Sequence, residues 1–420
     1  MKVTVSTVGR FHLFALAREL ERHGALERIY SGFIWSALAR EDVSRSKVTT
    51  FPWFRTPLMA LGRLPLKAPR VLESWLDYMS CVAQDDYVAR VLPECDVFIG
   101  HDGSGLNSGY SAKRRGLIYI TDTGSSHVGA KLDLLEEEFA INGLPFTEGR
   151  GKTYERMLEE YEAADAIIVA SSFARNSFLA KGFPQGKIRL IPYGARIEQG
   201  QVPATPPEDR FRIVFVGLLS IRKGARYLFE AFRKFSHPTK ELVIVGQIAD
   251  EVRPLIAAQH DLNVTFLGHV PNGDLATIYS SSHVLLFPSV EDGFGMVMAE
   301  AMACGCPVIA STNTGAVDLF THGQEGFIVP IRDPRAIADY LTLLADDPSL
   351  RARMSAASLE RVRHLGGWTA YGDAYVAFLS EMRASRSTAS QAALATNPGA
   401  GEKMSGPPGL VSTRNPKVLP

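Results

Sequence analysis

Six short, unbroken apolar runs, most of them divided by helical stretches, constrain the second half of this chain more than any other feature. They are RIVFVG (212–217), ELVIVG (241–246), NVTFLG (263–268), VLLFPS (284–289), PVIAS (307–311) and GFIVP (326–330). A strand with no polar alternation has to be covered on both faces. Stretches such as ARYLFEAFRKF (225–235) and PLIAAQH (254–260) supply the covering helices. Strand alternating with helix predicts an α/β, doubly wound parallel sheet, with ligands outside the carboxyl ends of its strands.

The first half repeats the pattern more loosely, in VTVST (3–7), DVFIG (96–100), LIYIT (117–121) and AIIVAS (166–171). After Gly9, a helix is expected with Leu13, Leu16, Ala17 and Leu20 facing inward and Arg18, Glu19, Glu21 and Arg22 facing outward. A chain of 420 residues exceeds what one core usually supports, so two such domains are expected. QGQVPATPPEDR, with three prolines and no apolar period, reads as the linker over 199–210. The expected division is therefore 1–198, the linker, 211–366, a C-terminal helix over 367–384 able to pack back on the first domain, and a disordered tail over 385–420 that is rich in small residues, Gly and Pro.

Composition removes several classes of function. Lys plus Arg equals Asp plus Glu at 45 each, which gives no basic excess for nucleic acid. No apolar run approaches the roughly 20 residues needed to cross a bilayer. The start, MKVTVSTVGR, leads into a strand pattern rather than an export signal, so a cytoplasmic protein is expected. The pair Cys304 and Cys306 lacks the second pair that a zinc site requires and reads as core. Gly151-Lys152-Thr153 lacks the earlier glycine of a phosphate-binding loop. Gly103, Gly105 and Gly109 miss the dinucleotide spacing by one residue.

The densest constellation is LLFPSVEDGFGMVMAEAMACGCPVIAS, 285–311. A strand ends, a polar turn follows, and a helix is expected to open at Phe294. Gly293 and Gly295 permit close backbone approach, and unpaired amides of Phe294, Gly295 and Met296 at a helix N-terminus suit a diphosphate. Asp292 and Glu300, repelled by phosphate, suit neutral hydroxyls. A second patch follows RIVFVG: Gly217, then Arg222 and Lys223 ahead of a helix, two cations placed to stabilise charge on a departing diphosphate.

The run Asp292-Gly293-Phe294-Gly295 through Glu300-Ala301-Met302-Ala303 resembles the donor signature of family-4 retaining glycosyltransferases, which have the GT-B fold of two facing Rossmann-like domains. That signature usually has Glu where this chain has Asp292, and the resemblance continues through Gly305 to Ser311. It covers about 165–345 well and the first half loosely. It implies that Asp292 binds hydroxyls of the transferred sugar, Glu300 the ribose, and the amides of 294–296 the diphosphate. Lys223 matches the family lysine, whereas the family arginine position is Leu218, and Arg222 is expected to supply the missing charge.

In the first half the resemblance implies that the Gly9 loop lies against the diphosphate and acceptor. It also implies a His or Asp after a strand facing the transferred sugar; His101, Asp122 and His127 are the candidates. From Val43 to Leu72 there are six basic residues (Arg45, Lys47, Arg55, Arg63, Lys67, Arg70) and no acidic one, interleaved with apolar residues including Trp53, Phe54 and Met59. That mixture suits an anionic membrane surface, and equally an ordinary loop-and-helix region.

The expectation is a metal-independent retaining transferase, with no cofactor and no Asp-x-Asp metal pair. It would move a sugar from a nucleotide-diphosphate donor to a saccharide or lipid-linked acceptor. The alternatives are a non-catalytic nucleotide-sugar-binding regulatory subunit, or an epimerase of the same fold.

Overall fold

The structure, a computed structural model, describes residues 1–61, 70–147, 149–194 and 204–395. In the first half β1 (Val3–Thr7), β2 (Leu26–Ser31), β3 (Val48–Thr50), β4 (Val97–His101), β5 (Ile118–Thr123), β6 (Ala166–Val169) and β7 (Ile188–Leu190) form a seven-stranded sheet in the order β3-β2-β1-β4-β5-β6-β7. In the second half β8 (Phe211–Val216), β9 (Lys240–Val245), β10 (Val264–Gly268), β11 (Val284–Phe287), β12 (Val308–Ser311) and β13 (Gly326–Val329) form a six-stranded sheet in the order β10-β9-β8-β11-β12-β13. The strand pairs in both sheets are parallel.

All six apolar runs of the second half are strands, and so are the four of the first. The apolar pattern does not reveal β2, β3 or β7. Strand β2 carries Glu27 and Arg28, while β3 and β7 are three-residue sheet edges, where one side needs no partner. In each sheet the strand order reverses once, between β1 and β4 and between β8 and β11. Brändén-type crevices open at such switch points, outside the carboxyl ends of the strands. Gly9 and His101 follow or end one pair; Gly217 and the 288–295 turn follow the other.

The first helix, Phe11–Arg22, buries Leu13, Leu16, Ala17 and Leu20 as its spacing predicts. Its outward face departs from expectation, because Glu19 is buried too. The helix starting at Gly367 covers it. A Cβ on Gly372 would lie 2.3 Å from Cβ of Glu19, so only glycine fits that crossing. Arg22 pairs with Asp373, and the Tyr375 hydroxyl reaches Asp122 Oδ2 at 2.9 Å. Residues Met1–Ala377 form one compact unit, and the described residues from Phe378 on belong to a second. The expected disordered tail from 385 is corrected in part: the helix runs on to Ala395, through an alanine-containing stretch with no Gly or Pro to stop it. Residues 396–420, with 199–203 of the expected linker, lie outside the described residues.

The glycines at 103, 105 and 109 have a structural reason that has nothing to do with a dinucleotide. The buried Glu160 carboxylate accepts from the amides of Gly103 and Gly105 at 2.5 and 2.8 Å. Asp85 accepts from the amides of Asn107 and Ser108 at 2.7 and 2.9 Å. Arg156 bridges the two acids. The start of helix Leu106–Arg114 is thus an anion site filled from within. Gly109 is there because any Cβ would meet the Tyr119 ring at 2.4 Å.

Glu160→Ala leaves two buried amides and the Arg156 guanidinium short of an acceptor, a loss on the order of 3 kcal/mol or more. The thermal midpoint should fall by several degrees, and Glu160→Gln, which keeps one acceptor oxygen, should lose clearly less. Equal midpoints for Glu160→Ala and the parent would contradict this role.

Candidate functional site

The turn after β11 is built by tight backbone contacts. Gly295 is left-handed (φ 81°), and a Cβ there would strike the Phe287 ring at 2.6 Å. The following helix is Met296–Ala303, so it opens two residues later than the expected Phe294. The Phe294 amide is not open to a ligand, because it donates to Asp292 Oδ1 at 3.1 Å. Among the described residues no acceptor takes the amides of Gly295 and Met296. The expected three-amide diphosphate cradle is therefore a two-amide one.

Lys223 lies beside this cradle, its ammonium bonded to Asp292 Oδ2 and 5.2 Å from the centre of the Phe287 ring. Gly217 takes a positive φ of 139°, which keeps the loop after β8 clear of side chain, and Leu218, at the family arginine position, is exposed. Glu300 stands on the same helix as the free amides; burial raises its carboxyl above the usual range, and the Tyr279 hydroxyl donates to it at 3.2 Å.

Arg222 does something the sequence did not announce. Its Nε donates to Glu291 Oε2 at 2.7 Å and to the Glu291 carbonyl at 3.2 Å. Glu291, next to the signature acid, is fully buried and crosses to the first half. Its Oε1 accepts from Ser125 Oγ (3.0 Å), the Ser126 amide (3.2 Å) and Ser126 Oγ (2.7 Å). Gly293 belongs to the same junction: a Cβ would sit 2.1 Å from the Gly124 carbonyl oxygen. The close approach that Gly293 permits is to the facing loop. Asp318 adds a second cross-link, to the Ser172 amide and hydroxyl at 2.7 and 2.6 Å.

Across the junction lies a buried polar cluster. Asp122 is fully buried and its two oxygens are taken by His12 Nε2 (2.6 Å) and Tyr375. It therefore orients His12 rather than presenting a free carboxylate to a sugar. The Tyr193 ring stacks on His12 at 4.4 Å and meets Phe294 edge-on at 5.3 Å, which joins the cluster to the turn after β11. His101 is in the same cluster, 6.1 Å from His12 ring to ring, and burial lowers its pKa against the pull of Asp102. Gly9 is buried at the end of β1, its amide on Thr7 Oγ1 at 3.3 Å.

His127 is a correction. Its Nδ1 accepts from the amides of Gly129 and Ala130, capping helix Val128–Ile141, and its ring packs among Tyr161, Phe178 and Phe183. A His in the first position before a helix is a capping position, and here that use takes it away from the cleft. Sequence reading missed His12, Glu291 and Tyr193. A polar ring three residues after Gly9, on the buried face of its helix, was the available signal for His12. For Glu291 it was a second acid beside Asp292 with no assigned task.

Two parallel, doubly wound sheets with opposed switch-point loops define a GT-B architecture. Among solved structures, sucrose-phosphate synthase from Thermosynechococcus elongatus matches with a TM-score of 0.67 at 20% identity, covering 92% of this chain and 100% of that one. Anabaena HepE in complex with UDP matches with a TM-score of 0.65 at 16% identity, covering 91% and 100%. Residues 198–361 match the family Glycosyl transferases group 1, a stretch that includes Gly217, Lys223, the turn after β11 and Glu300. The capsular polysaccharide biosynthesis glycosyltransferase CapM of Staphylococcus aureus is 28% identical over 242 residues, 52% of this chain and 63% of that protein. The matched stretches span about half the length of the curated relatives, from 63% of CapM down to 40%.

The junction has a pH signature. Burial pushes the Glu291 carboxyl up, but Arg222, Lys131 and the Ser126 hydroxyl and amide outweigh it and hold it at about 2. Its folded pKa is below its unfolded value, so the stabilisation is complete above the ordinary carboxylate range and drains away as pH falls towards 2. A shift of about two units corresponds to about 3 kcal/mol. Glu291→Gln should therefore flatten the loss of unfolding free energy between pH 5 and about pH 3 relative to the parent. Superimposable pH profiles would contradict the assignment.

Proposed function

We propose that this protein transfers a sugar from a nucleoside-diphosphate sugar to a hydroxyl of a saccharide or lipid-linked acceptor, with retention at the anomeric carbon and without a metal. The observation that carries the reading is the group 1 match, with Lys223, the free Gly295 and Met296 amides and Glu300 gathered at one strand-to-helix turn. The diphosphate would take the two amides and draw Lys223 from Asp292, which frees Asp292 for sugar hydroxyls. Glu300 would accept from the ribose.

In the transfer, the bond from the anomeric carbon to the β-phosphate oxygen breaks and a bond to the acceptor oxygen forms on the same face. The acceptor proton passes to the leaving phosphate oxygen. Lys223 stabilises the charge that grows there, and the protein's share is positioning and electrostatics. Arg222 shares this task less than its position in sequence suggests, because its Nε is committed to Glu291. His12, held by Asp122, is the first-half group best placed near the Gly124 and Gly293 contact. The metal-free reading rests on the missing Asp-x-Asp pair.

The acceptor side gives a coarser picture. Trp53, Met59, Leu72 and Trp75 are exposed, Trp53 by 72%, beside a stretch with a basic excess. This supports contact with an anionic membrane and hence a lipid-linked acceptor. Arg45 and Arg55 are partly spent locally, on the Val48 carbonyl and on Asp77. Arg63 and Lys67 lie outside the described residues.

A panel of UDP-, GDP- and ADP-sugars, incubated with the protein in EDTA, tests the reading. One donor should be turned over, by transfer or slow hydrolysis, and Lys223→Ala should lower kcat about 100-fold or more with a smaller change in KM. Binding without turnover would favour the regulatory alternative, and a free epimer the other. Activity abolished by EDTA and restored by Mn²⁺ would overturn the metal-free part.

Glu300→Ala should weaken binding of the nucleoside diphosphate by about 10- to 100-fold, from loss of a charged acceptor on the ribose. Calorimetry with unchanged affinity and an intact fold would remove that role.

A further inference from the structure

Apart from the cleft, a cavity of about 490 Å³ opens beside helices Leu106–Arg114 and Lys152–Ala163. Its walls give three kinds of contact. Tyr110, Tyr154 and Phe183 offer aromatic surface, Glu159 and Glu162 offer carboxylate acceptors, and His127 offers a ring nitrogen. We propose that this cavity is a binding site for a neutral saccharide unit.

The His127 geometry is the main argument. The side chain is buried, with a relative exposure of 3%, and its Nδ1 is spent as acceptor for the Gly129 amide at 3.0 Å and the Ala130 amide at 3.4 Å. The proton must then be on Nε2, which among the described residues has no hydrogen-bond partner and belongs to a ring that lines the cavity. Burial, with Lys181 nearby, lowers the pKa to about 4, so the ring is neutral at physiological pH and a plain N–H donor. A neutral donor, two acceptors and apolar ring faces at one cavity match a ligand that has hydroxyls on its edge and C–H groups on its face. An anionic ligand would meet Glu159 and Glu162, while the one cation of the lining, Lys181, is already bonded to Asp133 at 2.7 Å. A simple cation would leave the His127 N–H without an acceptor, which a saccharide hydroxyl supplies.

The cavity is also close to the junction along the chain. His127 directly follows Ser126, whose hydroxyl holds Glu291 at 2.7 Å. Cavity wall and junction share one stretch of backbone. That the bound unit is a distal part of the acceptor rests on the transfer reading; that the cavity binds a saccharide does not.

Saturation-transfer NMR on the full chain, with UDP present to occupy the cleft, tests this. The probes are the methyl glycosides of glucose, galactose, mannose and N-acetylglucosamine, their disaccharides, and glucose 6-phosphate. Tyr110 and Glu159 are exposed, so Tyr110→Ala and Glu159→Gln leave the core alone. At least one neutral probe should receive saturation more strongly than glucose 6-phosphate, and each substitution should cut that signal at least fivefold while UDP affinity is unchanged. Absence of signal from every neutral probe, or a signal indifferent to both substitutions, would overturn the proposal. Failure of donor turnover with this signal intact would instead count against the transfer reading alone.

Discussion

The buried Glu291 carboxylate is the contact on which the geometry of the cleft depends. One oxygen takes Arg222 from its own half and the other takes two serine hydroxyls and an amide from the facing half. A buried charge of this kind is costly unless every lone pair is met, and here the desolvation is answered by a guanidinium and three further donors. The same contact fixes the Gly124 and Gly293 backbones against one another. Because Val290 also donates to the Arg222 carbonyl at 2.9 Å, the loops after β8 and β11 are tied together before either meets the first half. Together with the Asp318 link to Ser172 and the Tyr193 contact with Phe294, this acid holds the turn after β11, the Lys223 loop and the His12 cluster in register.

The two halves use the physics of a helix start in opposite ways. In the first, the amides just ahead of Leu106–Arg114 are filled by Glu160 and those of its first turn by Asp85, and the result is rigid structure. In the second, the amides of Gly295 and Met296 are left open, with Lys223 parked on Asp292 close by. Two amides without an internal acceptor, flanked by a cation, suit a displaceable anionic ligand. Both loops are glycine-rich in sequence. What separates them is the distant acid that fills only one.

That difference explains which parts were legible in the sequence. Strands buried on both faces wrote themselves as apolar runs, so both sheets could be expected from the sequence, and only β2 with its Glu27 and Arg28 and the short edges β3 and β7 were hidden. Asp292, Glu300 and Lys223 could be named as candidates because they share short segments with the glycines that shape them. The contacts of Glu291 with Ser126, of His12 with Asp122 and of Asp122 with Tyr375 span 165, 110 and 253 residues, and no local pattern encodes such pairs. Isolated histidines were least legible of all. His12 and His127 both border a glycine-containing loop and a helix, yet one is buried on a carboxylate at the cleft and the other caps a helix among aromatic rings. Tertiary partners decide between them.

The central claim is that the turn after β11 receives the diphosphate of a nucleotide donor while Glu291 keeps the cleft in register. A crystal structure of the protein with UDP or GDP addresses it most directly. The account predicts phosphate oxygens on the Gly295 and Met296 amides, the Lys223 ammonium moved from Asp292 to the diphosphate, ribose hydroxyls on Glu300, and Glu291 still on Arg222 and Ser126. A nucleotide bound elsewhere, or one bound here with Lys223 still on Asp292, would contradict it.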